Sequence, residues 1–380
     1  ALPVFGLGMV TPYLVRAATR AVEEVGRRAG EVGAAATAGS IAGTFGTGFV
    51  LLPLVPLPVL LGATAAGLVG LAVLAARVLG RGPSGRDAAV VAAAALLLGV
   101  AAPGGGDSVL ASEQTVYTSL VVREGVWEDG RPILEMRQSG ASSSIEYADD
   151  GAPAHPYALA SLAWIDGWAA ARGTPRRILV VGGAALTLPL ALARRFPDAR
   201  IDVVEVDPRA TELARAHFAV GRDPAGDRIT VTHSAGRYFL ETSDAEWDLI
   251  YIDAFDHLVT VPWTLVTREA FTTMTERLTS TGVVLANVLA PLGGPGQAFM
   301  QRLLATAEAS AGTVQAYRVQ PEQQLTVVQN VLLVIGADPR LPPGPPAQRI
   351  PVQASGRPLT DAWAPIESLQ ARVFTRGLGW

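Results

Sequence analysis

The pattern of hydrophobic and polar positions divides the chain into an apolar N-terminal part and a longer part with alternating helices and strands. Three apolar runs lie within residues 1–104, at residues 41–52 with an extension back to Ala34, at residues 59–79 and at residues 88–102. Such runs are typical of helices that cross a bilayer, although the third would span only about 22 Å at 1.5 Å per residue. The pattern predicts an N-terminal transmembrane region of several helices.

Residues 107–150 have a different pattern, in which apolar and polar positions alternate. Residues 115–123 and 133–137 alternate like strands, and the turn-forming residues 128–132 lie between them. Two such runs around a turn are typical of a β-hairpin. The sequence therefore predicts a small β-hairpin module here, followed by a helix over residues 157–171.

Residues 151–337 consist of short apolar runs, several of them separated by helical patterns. The predicted strands are residues 178–181, 201–206, 229–233, 249–253, 283–287, 313–319 and 327–335, with the last two as an antiparallel pair. Short apolar strands between helices are buried on both faces. The pattern predicts an α/β fold with a Rossmann-like, methyltransferase-type doubly wound sheet. Residues 338–380 are predicted to be a Pro-rich irregular segment (338–358) and a C-terminal tail.

The first predicted strand leads into a turn of small residues, Gly182 and Gly183, and then into a helix. Glu205 ends the second strand 22 positions after Gly183, and Asp207 follows it. In nucleotide-binding α/β units an acid about 20 residues after the turn accepts the ribose hydroxyls, and small residues let the backbone approach the ligand. The pattern favours a nucleoside site over the alternative, an ordinary βαβ unit without a ligand.

A second acidic position, Asp253, closes the apolar run at residues 249–252, and Asp256 follows in the next loop. Ligands of doubly wound sheets bind beyond the carboxyl ends of the strands. Carboxylates at these ends suit a cationic ligand, either a sulfonium such as an S-adenosyl compound or a protonated amine. A free alkyl amine has a pKa near 10.4, so its reaction at carbon would benefit from a carboxylate base.

The composition excludes several other kinds of chemistry. All 30 basic residues are Arg and the chain has no Cys, which excludes Schiff-base lysines, P-loop lysines, thiol nucleophiles, disulfides and thiolate metal sites. The four His are scattered along the sequence, so no metal site is predicted. The net charge is −4 and no basic stripe stands out, which argues against a nucleic-acid partner.

Four segments together resemble one known family. They are residues 203–208 with 212–215, residues 248–255, residues 261–271 and residues 359–367. This pattern resembles the spermidine synthase family of polyamine aminopropyltransferases. Residues 8–13 and 39–44 resemble the last helices of its membrane-fused branch, in which a transmembrane bundle precedes the catalytic domain.

The resemblance implies a reaction and a set of site residues. The reaction would transfer an aminopropyl group from the co-substrate decarboxylated S-adenosylmethionine to putrescine or a related amine. Asp253 would lie beside the transferred group and the attacking amine, and Asp256 would be the second acid, which binds the amine. The cofactor-binding residues would be Gly182, Gly183, Glu205, Asp207 and Gly236, and Tyr157 would bind the amine together with Asp256.

The chain departs from the family pattern at several of its loops. Ala185 stands where the family has an acid, and Leu186 is expected to crowd the approach of the backbone to the ligand. Ala235 replaces an Asp that reads adenine, Thr118 replaces a Gln, and Tyr157 is not followed by His-Glu. Two lost charged hydrogen bonds would weaken cofactor binding by roughly a hundredfold or more.

Two other functions therefore stay open. One is a non-catalytic nucleoside- or polyamine-binding module on a membrane bundle, and the other is an S-adenosylmethionine-dependent methyltransferase. The expected partners are a small amine and the membrane, and the sequence leaves homo-oligomerisation open.

Arginine positions bear on the membrane orientation, because short arginine-rich loops face the cytoplasm. The two clusters are Arg16, Arg20, Arg27 and Arg28, and Arg77, Arg81 and Arg86. If residues 88–102 span the membrane, these arginine clusters place the following domain outside the cell. If residues 88–102 lie at the membrane interface, the domain lies inside. We predict a multi-pass protein of the cell membrane with the soluble domain in the cytoplasm, where decarboxylated S-adenosylmethionine is usually found.

Overall fold

A computed structural model describes residues 10–19, 21–52, 55, 57–78, 108–255, 261–311, 314–336, 348–350 and 353–370. The chain forms two compact units, Ala1–Gly105 and Gly106–Trp380. Each unit is described by itself below. The third apolar run, residues 88–102, and Asp256 lie outside the described residues.

The N-terminal unit is helical. Its helices are α1 (Val10–Ala18), α2 (Val25–Gly46, continued by the π-helical turn Thr47–Leu51) and α3 (Leu57–Val78). Within the described part of the chain, one helical stretch, Val22–Leu51, is long and apolar enough to cross a membrane, and Val59–Leu68 is a shorter apolar helix. The described residues thus support one candidate span and not the several that the sequence predicts.

The second unit begins with a β module of four strands. They are β1 (Val109–Gln114), β2 (Ser119–Val126), β3 (Pro132–Gln138) and β4 (Ala141–Tyr147), and each pairs antiparallel with the next. The sequence predicted a hairpin of two strands, whereas the module has four. β4 was missed because its Ser-rich first half lacks alternating apolar positions, and because Gly140, at φ +83°, makes a tight turn directly after β3.

The central sheet carries the predicted α/β fold. Its elements are α4 (Pro156–Arg172), β5 (Arg177–Val181), α5 (Thr187–Arg195), β6 (Arg200–Glu205), α6 (Pro208–His217), β7 (Ile229–His233), α7 (Gly236–Thr242), β8 (Trp247–Ile252), α8 (Arg268–Glu276), β9 (Leu278–Ala290), α9 (Gln297–Ala311), β10 (Val314–Arg318), β11 (Gln329–Gly336) and β12 (Gln348–Ile350). Short 3₁₀ turns occupy Val22–Glu24, Ala219–Gly221, Pro224–Arg228, Trp263–Leu265 and Gly294–Gly296.

The order of strands is β12-β10-β11-β9-β8-β5-β6-β7. Strands β9, β8, β5, β6 and β7 are parallel to one another, whereas β11 runs antiparallel to both of its neighbours, β9 and β10. The predicted methyltransferase-type doubly wound sheet is confirmed, and so is the antiparallel pair at its end. The chain order reverses at β5, which has β6 on one side and β8 on the other, and such a switch point forms a crevice for ligands.

Both faces of the sheet are buried, which explains the unbroken apolar runs of its strands. In β5, Ile178 and Val180 pack in one core with helices α4, α5 and α6, whereas Leu179 and Val181 pack in the other with α7, α8 and α9. Successive side chains of a strand point to opposite faces, so a strand covered on both sides needs apolar residues at every position.

The β module is bonded to the central sheet domain beside the strand ends. Glu146 of β4 is buried and accepts a 2.7 Å hydrogen bond from the backbone N–H of Ala219. In the turn before β2, the Thr115 hydroxyl donates to Asp207 over 2.6 Å. Asp207 follows β6 directly, so the second contact holds the module at the carboxyl end of this strand.

The C-terminal residues also have a structural task. Residues 338–358 were predicted to be irregular, but Gln348–Ile350 forms the edge strand β12 against β10. Further on, the buried Leu359 accepts the backbone N–H of Arg268, and the Asp361 carboxylate accepts the Thr267 hydroxyl at 2.6 Å. Thr267 is the N-cap of α8, so the C-terminal tail fixes the start of this helix.

Candidate active site

A cavity of about 550 Å³ lies at the carboxyl ends of strands β5, β6 and β8 and beside β9, with the β module on its other side. The strand ends contribute Gly182, Glu205 and Asp253, β9 contributes Asn287, and the module contributes a row of serines on β4. The cavity therefore lies at the switch point of the sheet, where ligands of this fold class bind.

Gly182 shapes the turn after β5. It has φ +96°, and a Cβ atom at this position would collide with the backbone oxygen of Asp253. Glycine is the residue that tolerates this conformation without strain. Gly236, at the start of α7, has a similar role, because a Cβ atom there would lie 2.5 Å from Val181 Cγ1. The two glycines keep the strand ends and α7 close around the cavity.

Glu205 holds the turn through backbone hydrogen bonds. Its Oε2 accepts the N–H groups of Gly183 at 2.8 Å and Ala184 at 3.0 Å, and its Oε1 accepts the N–H of Asp207 at 3.0 Å. A carboxylate offers about four acceptor positions. Three are occupied here, so about one is left for a ligand, rather than the two that ribose binding by both hydroxyls would use.

The expected crowding of the ligand by Leu186 is wrong. Leu186 has φ +57°, which turns its side chain away from the cavity, and it is fully buried in the core together with Ala185. The cavity is lined instead by Gly182, Gly183 and Ala184. The altered loop residues therefore leave the approach to the backbone open.

Asp207 lies at the cavity, but both of its carboxylate oxygens are occupied. Oδ1 accepts the backbone N–H of Arg209 as the N-cap of α6, and Oδ2 accepts the Thr115 hydroxyl. The residue is only 2% exposed. Asp207 thus caps a helix and ties the β module to the sheet domain, and any effect on a ligand would pass through these elements.

Asp253 sits at the end of β8 and is partly buried. Its Oδ1 accepts a 2.9 Å hydrogen bond from Asn287, and the Tyr157 hydroxyl also bonds to its carboxylate. Burial raises the pKa of Asp253 to about 6, while these two hydrogen bonds favour the ionised form and limit the rise. A carboxylate with this pKa is mostly ionised at neutral pH and can accept a proton.

The partners of Asp253 continue into a chain of polar side chains. Asn287 accepts a 3.0 Å hydrogen bond from Asn330 of β11, and the Tyr157 hydroxyl also lies 3.2 Å from the Ser143 backbone oxygen. The sequence reasoning missed Asn287 and Asn330. A signal existed for Asn287, because it follows the apolar run 283–286 just as Asp253 follows 249–252.

Replacing Asn287 by Leu should raise the pKa of Asp253 above about 6, because the lost hydrogen bond favours the ionised carboxylate. Carbon-13 NMR titration of the aspartate carboxyls would measure this, with the signal assigned by its loss in Asp253→Asn. Asn330→Leu serves as the graded comparison and should give a smaller shift in the same direction. An unchanged titration in Asn287→Leu would contradict the assigned role.

The charged side chains around the cavity are acidic. Among the described residues that line it, the charged ones are the three acids Glu205, Asp207 and Asp253, and no arginine reaches the lining. The described part of the chain also has no group of three or more His, Asp or Glu that could hold a metal ion. The lining fits a cationic or neutral ligand better than one with phosphate or carboxylate groups.

Comparison with known proteins finds relatives that match part of the chain. No protein-family model matches the chain. The chain is 28% identical over 188 residues to the polyamine aminopropyltransferase of Vibrio vulnificus, a match that covers 48% of the chain and 60% of that protein. It is 33% identical over 110 residues to a probable polyamine aminopropyl transferase of Bifidobacterium longum, covering 29% of the chain and 23% of the relative. The chain is thus similar, over part of its length, to polyamine aminopropyltransferases.

The fold agrees with this similarity. The crystal structure of a probable spermidine synthase from Corynebacterium glutamicum aligns with a TM-score of 0.53 and 20% identity, over 68% of the chain and 99% of that structure. At this identity the likeness concerns the fold alone. The chain matches less than two thirds of the length of each of the two spermidine synthase family relatives above, so their activity is carried over only as a proposal.

Proposed function

We propose that the protein is an aminopropyltransferase, which transfers the aminopropyl group of decarboxylated S-adenosylmethionine to putrescine or a related amine and releases methylthioadenosine. The observation that carries the proposal is Asp253, a proton-accepting carboxylate in a cavity without described positive charges, beside a glycine turn braced by Glu205. The names of the relatives support the same reaction class.

The proposed reaction is a direct displacement. The amine nitrogen attacks the aminopropyl carbon that is bound to the sulfonium sulfur, and the C–S bond breaks with its electron pair moving to sulfur. The product thioether is neutral, and the proton lost from nitrogen goes to Asp253. Catalysis of this kind depends on positioning of the two reactants and on the removal of one proton.

The remaining residues have supporting roles in this proposal. Glu205 accepts a ribose hydroxyl with its free acceptor position, and Gly182, Gly183 and Gly236 let the nucleoside approach the backbone. Tyr157 orients the amine beside Asp253. Asp256, which lies outside the described residues, is assigned to amine binding by its place in the sequence pattern.

We also propose that the N-terminal unit anchors the protein in the cell membrane, with the second unit in the cytoplasm. The helical stretch Val22–Leu51 supports an anchor. The apolar runs at residues 59–79 and 88–102 favour a multi-pass arrangement on sequence grounds. A cytoplasmic second unit would have access to decarboxylated S-adenosylmethionine.

The proposed function predicts that the chain, purified in detergent, binds decarboxylated S-adenosylmethionine and methylthioadenosine more tightly than S-adenosylmethionine, whose carboxylate meets no described positive charge. Isothermal titration calorimetry measures the three affinities, and chromatography then measures methylthioadenosine release with putrescine.

Each alternative function has its own outcome in this experiment. Binding without product release for any amine would support a non-catalytic binding module. Preferred binding of S-adenosylmethionine with methyl transfer would support a methyltransferase. If none of the three ligands bound, both enzyme functions would be rejected.

A further inference from the structure

Two neighbouring segments of the central sheet domain line the cavity close to Glu205. The first follows β7 directly, and the last residue of β7, His233, pairs with Glu205 in the sheet. The second contains the 3₁₀ turn Trp263–Leu265 before α8. We call the two segments the nucleoside wall, which lines the cavity through Ser234, Ala235, Gly236, Pro262, Thr264 and Leu265.

The two segments of the nucleoside wall are in direct contact through residues that line the cavity. A Cβ atom at Gly236 would lie 3.5 Å from Leu265 Cδ2, and Leu265 is only 2% exposed. An apolar contact of this kind holds the segments together but is not directional. The distance between the segments, and with it the space for a nucleoside, therefore depends on what else fixes their positions.

Arg237 links the same two segments from outside the cavity lining. It follows Gly236, and its side chain is 15% exposed. Its Nη1 donates to the Thr267 hydroxyl at 3.4 Å, its Nη2 to Asp361 at 3.1 Å and its Nε to Glu241 at 2.6 Å. Thr267 is buried and begins α8 as its N-cap. Arg237 therefore joins the start of α7 to the start of α8 by directional bonds.

Asp361 of the C-terminal tail completes this link with one carboxylate. Its Oδ1 accepts the Thr267 hydroxyl at 2.6 Å, and its Oδ2 accepts Arg237 at 3.1 Å. The backbone N–H of Asp361 donates to Glu269 of α8 at 3.0 Å, and the buried Leu359 anchors the tail two residues earlier. The carboxylate is therefore held in place by the fold, and it bridges the starts of α7 and α8.

Removal of the Asp361 carboxylate would leave bonds that stay within one helix. Arg237 would still pair with Glu241, one turn further along α7, and Thr267 would still accept the N–H of Ala270 in α8. The 3.4 Å contact from Arg237 to Thr267 would also remain, but it is longer than a typical N–H···O hydrogen bond and therefore weak. Asp361 thus supplies the stronger part of the link between the two helices.

We propose that Asp361 and Arg237 are positioning residues for the nucleoside donor, on which they act through Gly236 and Leu265. By fixing the starts of α7 and α8 they fix the two segments of the nucleoside wall. The C-terminal tail then contributes to the active site, although none of its described residues lines the cavity. The inference rests on the proposed aminopropyl transfer and assigns the residues that hold its nucleoside site in shape.

The test replaces Asp361 by Asn in the full chain, purified in detergent. Asn keeps the shape and can still accept the Thr267 hydroxyl, but its NH₂ group would face the N–H donors of Arg237. We expect calorimetry to show methylthioadenosine affinity weakened by about three- to tenfold, a modest effect because the Asp361 side chain is 45% exposed. The KM for decarboxylated S-adenosylmethionine should rise to the same extent, whereas the KM for putrescine should change by less than about twofold.

Glu367→Gln is the matched control, since Glu367 is an exposed acid of the same tail. This variant should keep all three constants of the unaltered chain. Unchanged methylthioadenosine affinity in Asp361→Asn would overturn the inference. Equal losses for the nucleoside and for putrescine would overturn it as well, because they would indicate a general loosening of the cavity rather than a change at the nucleoside wall.

A double-mutant cycle tests whether Asp361 and Arg237 act as one link. Arg237→Met and Asp361→Asn disrupt the same link, so the double variant should bind methylthioadenosine within about twofold of the weaker-binding single variant. Additive losses would contradict a shared link. Arg237→Lys keeps the charge and should recover part of the affinity lost in Arg237→Met. The absence of any recovery would overturn the inference even if Asp361→Asn failed to fold.

The outcomes also separate this inference from the proposed function. Product release by the unaltered chain, with normal methylthioadenosine affinity in Asp361→Asn, would overturn the role of the tail and leave the aminopropyltransferase intact. Methylthioadenosine binding that weakens in Asp361→Asn, without product release by the unaltered chain for any amine, would support the positioning role and reject the aminopropyl transfer.

Discussion

Replacing Asp253 with Asn should lower kcat for methylthioadenosine formation by a factor of about 10²–10⁴, the usual contribution of a general base. Asn has nearly the same shape and can still accept the hydrogen bond from Asn287, but it cannot take the proton from the attacking amine. Affinity for methylthioadenosine, which lacks the transferred group, should change by less than about threefold. Single-turnover rates and calorimetry measure the two quantities separately.

Asp244→Asn is the matched control for this substitution. Asp244 lies in the exposed loop before β8, at the opposite end of the strand from Asp253, and its side chain is fully exposed. The control should keep the activity of the unaltered chain. Unchanged turnover in Asp253→Asn would reject Asp253 as the group that receives the proton.

The pH dependence of the reaction gives an independent check on Asp253. Its pKa is raised to about 6 by burial, so the carboxylate is ionised and able to accept a proton above this pH, and is protonated below it. The value of kcat/KM should therefore fall about tenfold per unit as the pH drops below about 6. This acidic limb should be missing from Asp253→Asn, and its persistence there would assign it to another group.

Much of the central sheet could be predicted because its strands are buried on both faces. Burial of this kind requires continuous apolar runs, and β5, β6 and β8 are all read directly from such runs. The β module gave a weaker signal, because one face of its sheet is polar. In β4 the run of three serines, residues 142–144, hides the alternation, and the strand becomes recognisable only when paired with β3.

The site could be predicted only as far as it depends on strand ends. Glu205 and Asp253 follow apolar runs along the chain, whereas Asn330 reaches the cavity because β11 inserts antiparallel next to β9 and places it opposite Leu289. The hydrogen bond from Thr115 to Asp207 likewise depends on the way the module packs against the sheet domain. Contacts between residues of different elements depend on register and packing, which periodicity does not determine.

Asp207 was predicted to bind the cofactor from the family pattern, although the local sequence also indicates a helix cap. An Asp followed by Pro is a typical start of a helix, with the carboxylate as N-cap and Pro in the first turn. The structure has this arrangement, since the side chain of Asp207 accepts the N–H of Arg209. The capping signal was present in the sequence and indicates a structural task more directly than ligand binding.

Replacing Glu205 with Gln should weaken binding of methylthioadenosine by roughly 10- to 100-fold, the effect of losing one charged hydrogen bond of about 1.5–3 kcal/mol. Two causes contribute. The ribose loses an anionic acceptor, and the amide NH₂ of Gln meets a backbone N–H donor of Gly183, Ala184 or Asp207, which disturbs the turn. Glu212→Gln, an exposed position on α6 outside the cavity lining, is the matched control and should bind normally.

A comparison of ligands separates the two causes. If Glu205 binds a ribose hydroxyl, Glu205→Gln and the removal of that hydroxyl from the ligand disrupt the same contact, and their effects on affinity are not additive. If Glu205 only braces the turn, the two effects add. Calorimetry with methylthioadenosine and its 2′-deoxy and 3′-deoxy analogues, on the unaltered chain and on Glu205→Gln, measures the coupling. Additive losses for both analogues would leave Glu205 with the bracing of residues 182–184 alone and would move ribose recognition to another part of the cavity.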